Sequence, residues 1–239
     1  MIPKIIHYCW LSGDTFPEKI QHCINSWKKK IPDYEFVLWD TNRFHLDSCP
    51  WVKEAFEAKR YAFAADYIRL YALYNYGGIY LDSDVEVFKS FDELLELPYF
   101  IGNESFENRV EVAAFGAEKG TEWIKRCLTY YEGRHFIKED GSYDMKVMPD
   151  IVCETLSPIY TIKHISRIED YDYSGKFFNV FPRDWFCANV HINATDPKPT
   201  YIISPSTYCV HHFANSWIKI NRFKLFIKTI LFKLGLYKK

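Results

Sequence analysis

The residues best suited to chemistry lie in one run, Gly77-Gly78-Ile79-Tyr80-Leu81-Asp82-Ser83-Asp84-Val85-Glu86. Two glycines end a helical pattern, a short apolar strand follows, and two carboxylates stand one residue apart at its far end. Side chains alternate along an extended chain, so Asp82 and Asp84 are expected on the same side. Carboxylates so placed repel each other unless a cation or donor group lies between them. A hard divalent ion such as Mg²⁺ or Mn²⁺ meets that need, because it accepts carboxylate oxygens and bridges a diphosphate. The carboxyl end of a strand is also where open α/β sheets hold their ligands.

A second pair stands just upstream in Ala65-Asp66-Tyr67-Ile68-Arg69. A spacing of three puts Asp66 and Arg69 on one helix face. On a wet surface such an ion pair is worth little. The flanking residues are apolar, however, so both charges are expected to enter a crevice. There a carboxylate can hold sugar hydroxyls and a guanidinium can neutralise a phosphate.

Positioning these groups requires an α/β framework. Lys4–Trp10 is apolar and reads as a buried first strand. Pro17 opens a helix that runs to about Lys30, with Ile20, Cys23, Ile24 and Trp27 at helical spacing. Tyr34–Trp39 reads as the second strand, which makes β-α-β, the start of a nucleotide-binding sheet. Trp51–Tyr76 is helical with one break near Arg60, and Gly77-Gly78 stops it in the manner of a glycine cap. Strands are expected at Ile79–Asp82, Tyr99–Gly102 and Val110–Ala117, with short ones near Ile202 and Tyr208. Helices are expected over Thr121–Tyr131 and about Pro149–Leu156. The polar, glycine-containing run Arg134–Met145 reads as a mobile loop.

Composition narrows the classes. Of 239 residues, 48% are hydrophobic and 26% charged, which is globular rather than disordered. The aromatic share of 18% suits stacking on bases and sugars, although most such rings serve the core. A formal net charge of -1 argues against a nucleic-acid binder, which carries a basic excess. Cys9, Cys23, Cys49, Cys127, Cys153, Cys187 and Cys209 show no C-x-x-C spacing and read as buried thiols in a reducing compartment. No secretory signal opens the chain, and no stretch has the apolar length of a membrane span. A cytoplasmic protein is expected, or one peripheral on the cytoplasmic membrane face.

Several motifs together resemble a known family. Ile2-Pro3-Lys4-Ile5-Ile6-His7-x-x-Trp10 matches the opening of the D-x-D sugar transferases that include capsular-polysaccharide and yeast initiating mannosyltransferases. Ala65-Asp66-x-x-Arg69-x-x-x-Leu73-x-x-x-Gly77-Gly78-x-Tyr80-x-Asp82-x-Asp84 matches their defining segment and is similar to the catalytic domain of large clostridial glucosylating toxins. The match covers roughly the first 90 residues and returns at His211-His212-x-x-Asn215-Ser216-Trp217. The resemblance implies a GT-A fold, a Rossmann-like mixed sheet flanked by helices, and a hexosyltransferase that retains anomeric configuration. It implies Mn²⁺ or Mg²⁺ and a nucleotide-sugar donor, a UDP-sugar first and GDP-mannose next, in surface polysaccharide synthesis. Trp10 would then stack on the base, Asp66 and Arg69 would hold the donor sugar, and Asp82 would contact ribose and metal. Asp84 would ligate the metal directly. Asn215, Ser216 and Trp217 would close over the diphosphate, with the Trp217 indole N–H stabilising its charge. Where the toxins carry a glutamate ligand, this chain has histidine. The motif aligns His212, and the adjacent His211 is the other choice.

Two other readings compete. A phosphatase of the haloacid dehalogenase type also uses D-x-D at a strand end, but places Thr or Val where Glu86 stands and uses the first strand. A sugar-nucleotide or glycan-binding module without turnover is the other alternative, and the full set Asp66, Arg69, Asp82 and Asp84 argues against it. Beyond the catalytic domain of residues 1–220, residues 221–239 form a basic amphipathic pattern. Phe223, Phe226, Ile227, Ile230, Leu231 and Leu234 make one stripe beside Arg222, Lys224, Lys228, Lys233, Lys238 and Lys239. Such a helix suits peripheral contact with an anionic membrane, where a lipid-linked acceptor would make it useful, while Leu225 and Phe232 on its polar face leave a helix packed on the domain as the alternative. The expected acceptor is a glycan or lipid-linked oligosaccharide.

Overall fold

Strand β1 (Ile5–Cys9), helix α1 (Glu18–Lys30) and strand β2 (Glu35–Trp39) open the chain. The protein is seen here as a computed structural model that describes residues 1–104, 109–187, 189–191 and 200–213. The order continues with α2 (Pro50–Glu57), α3 (Tyr61–Tyr76), β3 (Gly78–Leu81), β4 (Val85–Val87), β5 (Tyr99–Asn103) and β6 (Val110–Ala117). Helices α4 (Glu122–Thr129) and α5 (Met148–Leu156) follow, then β7 (Thr161–His164), β8 (Phe177–Val180), α6 (Arg183–Phe186), β9 (Asn189–His191), β10 (Thr200–Ile202) and β11 (Cys209–His211).

The central sheet runs β2-β1-β3-β6-β5. Strands β1, β2 and β3 are parallel, whereas β6 is antiparallel to both β3 and β5. Alternation along β3 splits its side chains between two cores. Tyr80 joins the cluster beneath α2, α3, α4 and α5. Ile79 and Leu81 join the one beneath α1, with Ile20, Ile24 and Trp27. The sheet is therefore covered on both faces, as parallel strands require.

The break in the second helical segment falls where expected, at residues 58–60, and Lys59 takes a positive φ of 56° there. Gly77 and Gly78 end α3 at φ of 68° and 111°. A Cβ at Gly78 would lie 2.7 Å from the Ile5 carbonyl oxygen, so β1 and β3 approach this closely only because glycine stands there.

Three features depart from the sequence reading. Residues 134–145 are tied down rather than free. Phe136 is fully buried, Ile137 bridges to Tyr143, and Glu54 accepts from the Ile137 amide. Strands β4, β7, β8 and β9 and the short helix α6 were not expected. β7 and β8 pair in parallel at the far side of the sheet, each too short and mixed in polarity to show a period. The extended run expected through Asp84 ends at Leu81. Residues 82–84 form a turn closed by the Val85 amide on the Asp82 carbonyl at 3.0 Å. All seven cysteines carry free thiols, and six are buried.

Candidate active site

The site forms where β1 and β3 end, the start of β6 runs past them, and β11 closes from the side. β11 pairs antiparallel with β4 in the register Cys209↔Val87, Val210↔Glu86, His211↔Val85. This pairing sets a residue from the end of the described chain directly over the turn at 82–84. Ligand atoms of Asp82, Asp84 and His211 all lie within 4.8 Å of one another. The two aspartates converge as the sequence requires, but through a turn rather than through strand alternation.

Behind them lies a buried charge network. Arg69 is only 4% exposed. Its guanidinium contacts Asp66 at 3.1 Å and Asp82 at 3.3 Å, and donates to the Val112 carbonyl at 2.6 Å. The group also packs over the Tyr80 ring, 4.6 Å from its centroid, while the Tyr80 hydroxyl donates to Asp82 at 3.0 Å. The spacing of Asp66 and Arg69 on one face of α3 is thus realised as an interior pair. Arg69 faces inward, on two carboxylates and a carbonyl.

Proton affinities follow from this geometry. Burial pushes Asp66 up to about 7, against the pull of Arg69 and with a further push from Asp82. Burial also raises Asp82, while Arg69 and His211 oppose it and Asp84 adds to it. Burial pulls His211 down, yet the carboxylates of Glu111, Asp84 and Asp82 outweigh it and raise the imidazole to about 9. Arg69 thus offsets Asp66 and Asp82, and the imidazole faces Asp84 and Glu111.

Of the two histidines left open by the motif, the structure brings His211 to the aspartates and turns His212 away. His212 Nε2 lies 3.0 Å from Glu86 Oε2, and His22 Nε2 lies 3.1 Å from Glu86 Oε1, so one carboxylate links two imidazoles beside the site. Where the motif aligned His212, the structure groups His211 with the two aspartates and sets His212 against Glu86. Trp10 follows β1 at the same sheet edge, with its indole N–H donating to the Asp14 carbonyl at 2.7 Å and its ring edge-on to Phe16. Asn215, Ser216, Trp217 and the basic segment 221–239 lie outside the described residues.

One residue of the site escaped the sequence reading. Glu111 on β6 is 2% exposed, and its Oε1 lies 3.4 Å from His211 Nδ1. The signal was present: in Val110-Glu111-Val112-Ala113-Ala114-Phe115 it is the lone charge within an apolar strand, buried at every position. A charge so placed needs a partner. That partner lies about a hundred residues away in sequence and becomes visible only in the fold.

Residues 17–101 match the family described as a glycosyltransferase sugar-binding region containing a DXD motif. Inositol phosphoceramide mannosyltransferase 3 of Schizosaccharomyces pombe is 38% identical over 104 residues, which are 42% of this chain and 29% of that protein. A mannosyl phosphorylinositol ceramide synthase of Saccharomyces cerevisiae is 34% identical over 108 residues, 42% of this chain and 27% of that protein. The chain thus spans less than a third of the length of these curated relatives. Among solved structures, the PaToxG glycosyltransferase superposes with a TM-score of 0.50 at 22% identity, covering 66% of this chain and 68% of that one. The mixed sheet flanked by helices is therefore a GT-A-like fold.

Proposed function

Since residues 17–101 match the DXD-containing sugar-binding region family of glycosyltransferases, we propose that the protein is a metal-dependent glycosyltransferase. It moves a hexose from a nucleoside-diphosphate sugar to an acceptor hydroxyl. The observation that carries this reading is the convergence of Asp82, Asp84 and His211 at the sheet edge, backed by the buried Asp66–Arg69 pair.

The donor set fits a divalent ion. Two carboxylate oxygens and one imidazole nitrogen suit Mn²⁺ better than Mg²⁺, which prefers an all-oxygen shell. Such an ion would offset the charge that a departing diphosphate develops. Asp82, Asp84 and His211 would hold it. Arg69 keeps Asp66 and Asp82 in place, because its guanidinium is already occupied by both. Asp66 is the group that would hold sugar hydroxyls, and with a pKa pushed up to about 7 it can accept or donate near neutrality. Trp10 would stack on the base from the end of β1. Asn215, Ser216 and Trp217 would meet the diphosphate, as their motif implies.

The curated relatives are inositol phosphoceramide mannosyltransferases by name. Those names move a mannosyl donor such as GDP-mannose ahead of UDP-sugars, and support a lipid headgroup bearing hydroxyls as the acceptor. A cytoplasmic location at a membrane face accords with such an acceptor. The test is a donor panel of GDP-mannose and UDP-hexoses with Mn²⁺, read by nucleoside diphosphate released. A glycosyltransferase releases it from one donor and loses this activity on chelation. Free phosphate instead would indicate a phosphatase. Saturable donor binding with no release, even with acceptor lipid present, would indicate a binding module.

A further inference from the structure

Glu111 takes no part in the motif, yet three observations tie it to the site. It is a carboxylate 2% exposed on β6. Its Oε1 accepts from the Ala113 amide at 2.8 Å, which orients the carboxylate, and lies 3.4 Å from His211 Nδ1. Its Oε2 and His211 Nδ1 both lack a hydrogen-bond partner among the described residues. Buried polar atoms left without a partner are costly, and with Oε1 3.4 Å from Nδ1 a small movement can pair the carboxylate with the ring. On the opposite side of the ring, His211 Nε2 lies 3.6 Å from Asp84 Oδ1.

We propose that Glu111 is a positioning residue for His211, accepting a hydrogen bond from Nδ1–H so that Nε2 is left as the ligand atom beside Asp82 and Asp84. The inference rests on the metal reading given above and deepens it. An imidazole has two nitrogens, and the one not bonded to the ion is fixed by what it donates to. With the proton held on Nδ1, Nε2 carries the lone pair and faces the aspartates. Glu111 also holds the ring plane, since it bridges from β6 to His211 on β11. A ligating histidine with its partner removed keeps the wrong tautomer part of the time and loses affinity by roughly 10- to 100-fold.

The test uses the whole chain and Mn²⁺ alone, with affinity read by titration and ligation by nitrogen modulation of the Mn²⁺ electron spin echo. Wild type is expected to bind one ion and show a coordinated imidazole nitrogen. Glu111→Gln keeps the acceptor for the Ala113 amide and is expected to fold, to bind roughly ten-fold more weakly and to lose much of the nitrogen signal. His211→Ala should lose the signal completely, and adding Glu111→Gln to it should cost nothing further. If Glu111→Gln retains both wild-type affinity and the nitrogen signal, the positioning role is overturned while the metal site stands. A further loss of affinity in the His211→Ala background also overturns it, because Glu111 would then act by some other route. If Asp84→Asn leaves Mn²⁺ binding unchanged, the metal reading itself fails.

Discussion

Asp84 is where one oxygen atom decides the most. It is buried, shares its site with Asp82 and His211, and its backbone carbonyl accepts from the His212 amide at 3.2 Å. Asp84→Asn keeps the volume and the backbone bond but removes an anionic oxygen from the ligand set. We expect turnover to fall by roughly 10²- to 10³-fold, the scale of losing one preorganised electrostatic contact. The fold should persist, because removing one of several crowded carboxylates also relieves repulsion. Turnover assays with Mn²⁺ and a thermal melt check both halves. Near-normal turnover would remove Asp84 from the metal set.

At the scale of elements, the corner between α3 and β3 holds the site in place, and two residues control it. His7 on β1 is 1% exposed and uses both ring nitrogens: Nε2–H donates to the Gly77 carbonyl at 2.8 Å, and Nδ1 accepts from the Trp39 indole at 3.0 Å. Burial lowers its pKa to about 4, against the pull of the Gly77 carbonyl. The unfolded chain therefore binds this proton first, at about 6.5, and stability is full above that pH and falls as the pH drops towards 4. The contribution at stake is on the order of 3 kcal/mol. His7→Gln can make both bonds without titrating, so its stability loss between pH 6.5 and 4 should be smaller than that of wild type in paired denaturation curves. Identical slopes would show that His7 is not the titrating group.

Gly78 gives a second prediction at this corner. Alanine there meets the Ile5 carbonyl as well as a forbidden φ, whereas Gly120, at φ 77°, has open space around a Cβ. Gly78→Ala should destabilise by about 3 kcal/mol, and Gly120→Ala by about 1 kcal/mol. Chemical denaturation separates the two. Equal losses would mean that backbone strain alone, without the close approach of β1, sets the cost at Gly78.

For the whole molecule, the proposed transfer raises the question of how the site meets an acceptor. Among the described residues no helix is long and apolar enough to cross a membrane. The basic, amphipathic pattern of residues 221–239 offers a different route, a surface attachment in which each Lys or Arg adds on the order of 1 kcal/mol at an anionic bilayer. Truncation after Ile220 should leave hydrolysis of a soluble donor nearly unchanged while abolishing binding to phosphatidylserine vesicles. Wild-type binding should weaken as salt rises, since the attraction is screened. A truncated protein that unfolds would instead assign the segment to the core.

Much of this protein was legible in contiguous residues. The apolar strand at Ile5–Cys9, the stripe of Ile20, Cys23, Ile24 and Trp27, the break near Arg60, the glycine stop and the paired aspartates depend on local period and turn chemistry. Those signals live within one element and its cap. What only the tertiary structure decided involves partners distant in sequence. The antiparallel return of β6 brings Glu111 to a histidine on β11. Arg69 turns inward because Asp82 and the Val112 carbonyl wait there, not because of its place on the helix. The choice of His211 over His212 rests on the register of β11 against β4. Neighbouring residues on a strand point to opposite faces, so a slip of one residue would have exchanged the two histidines.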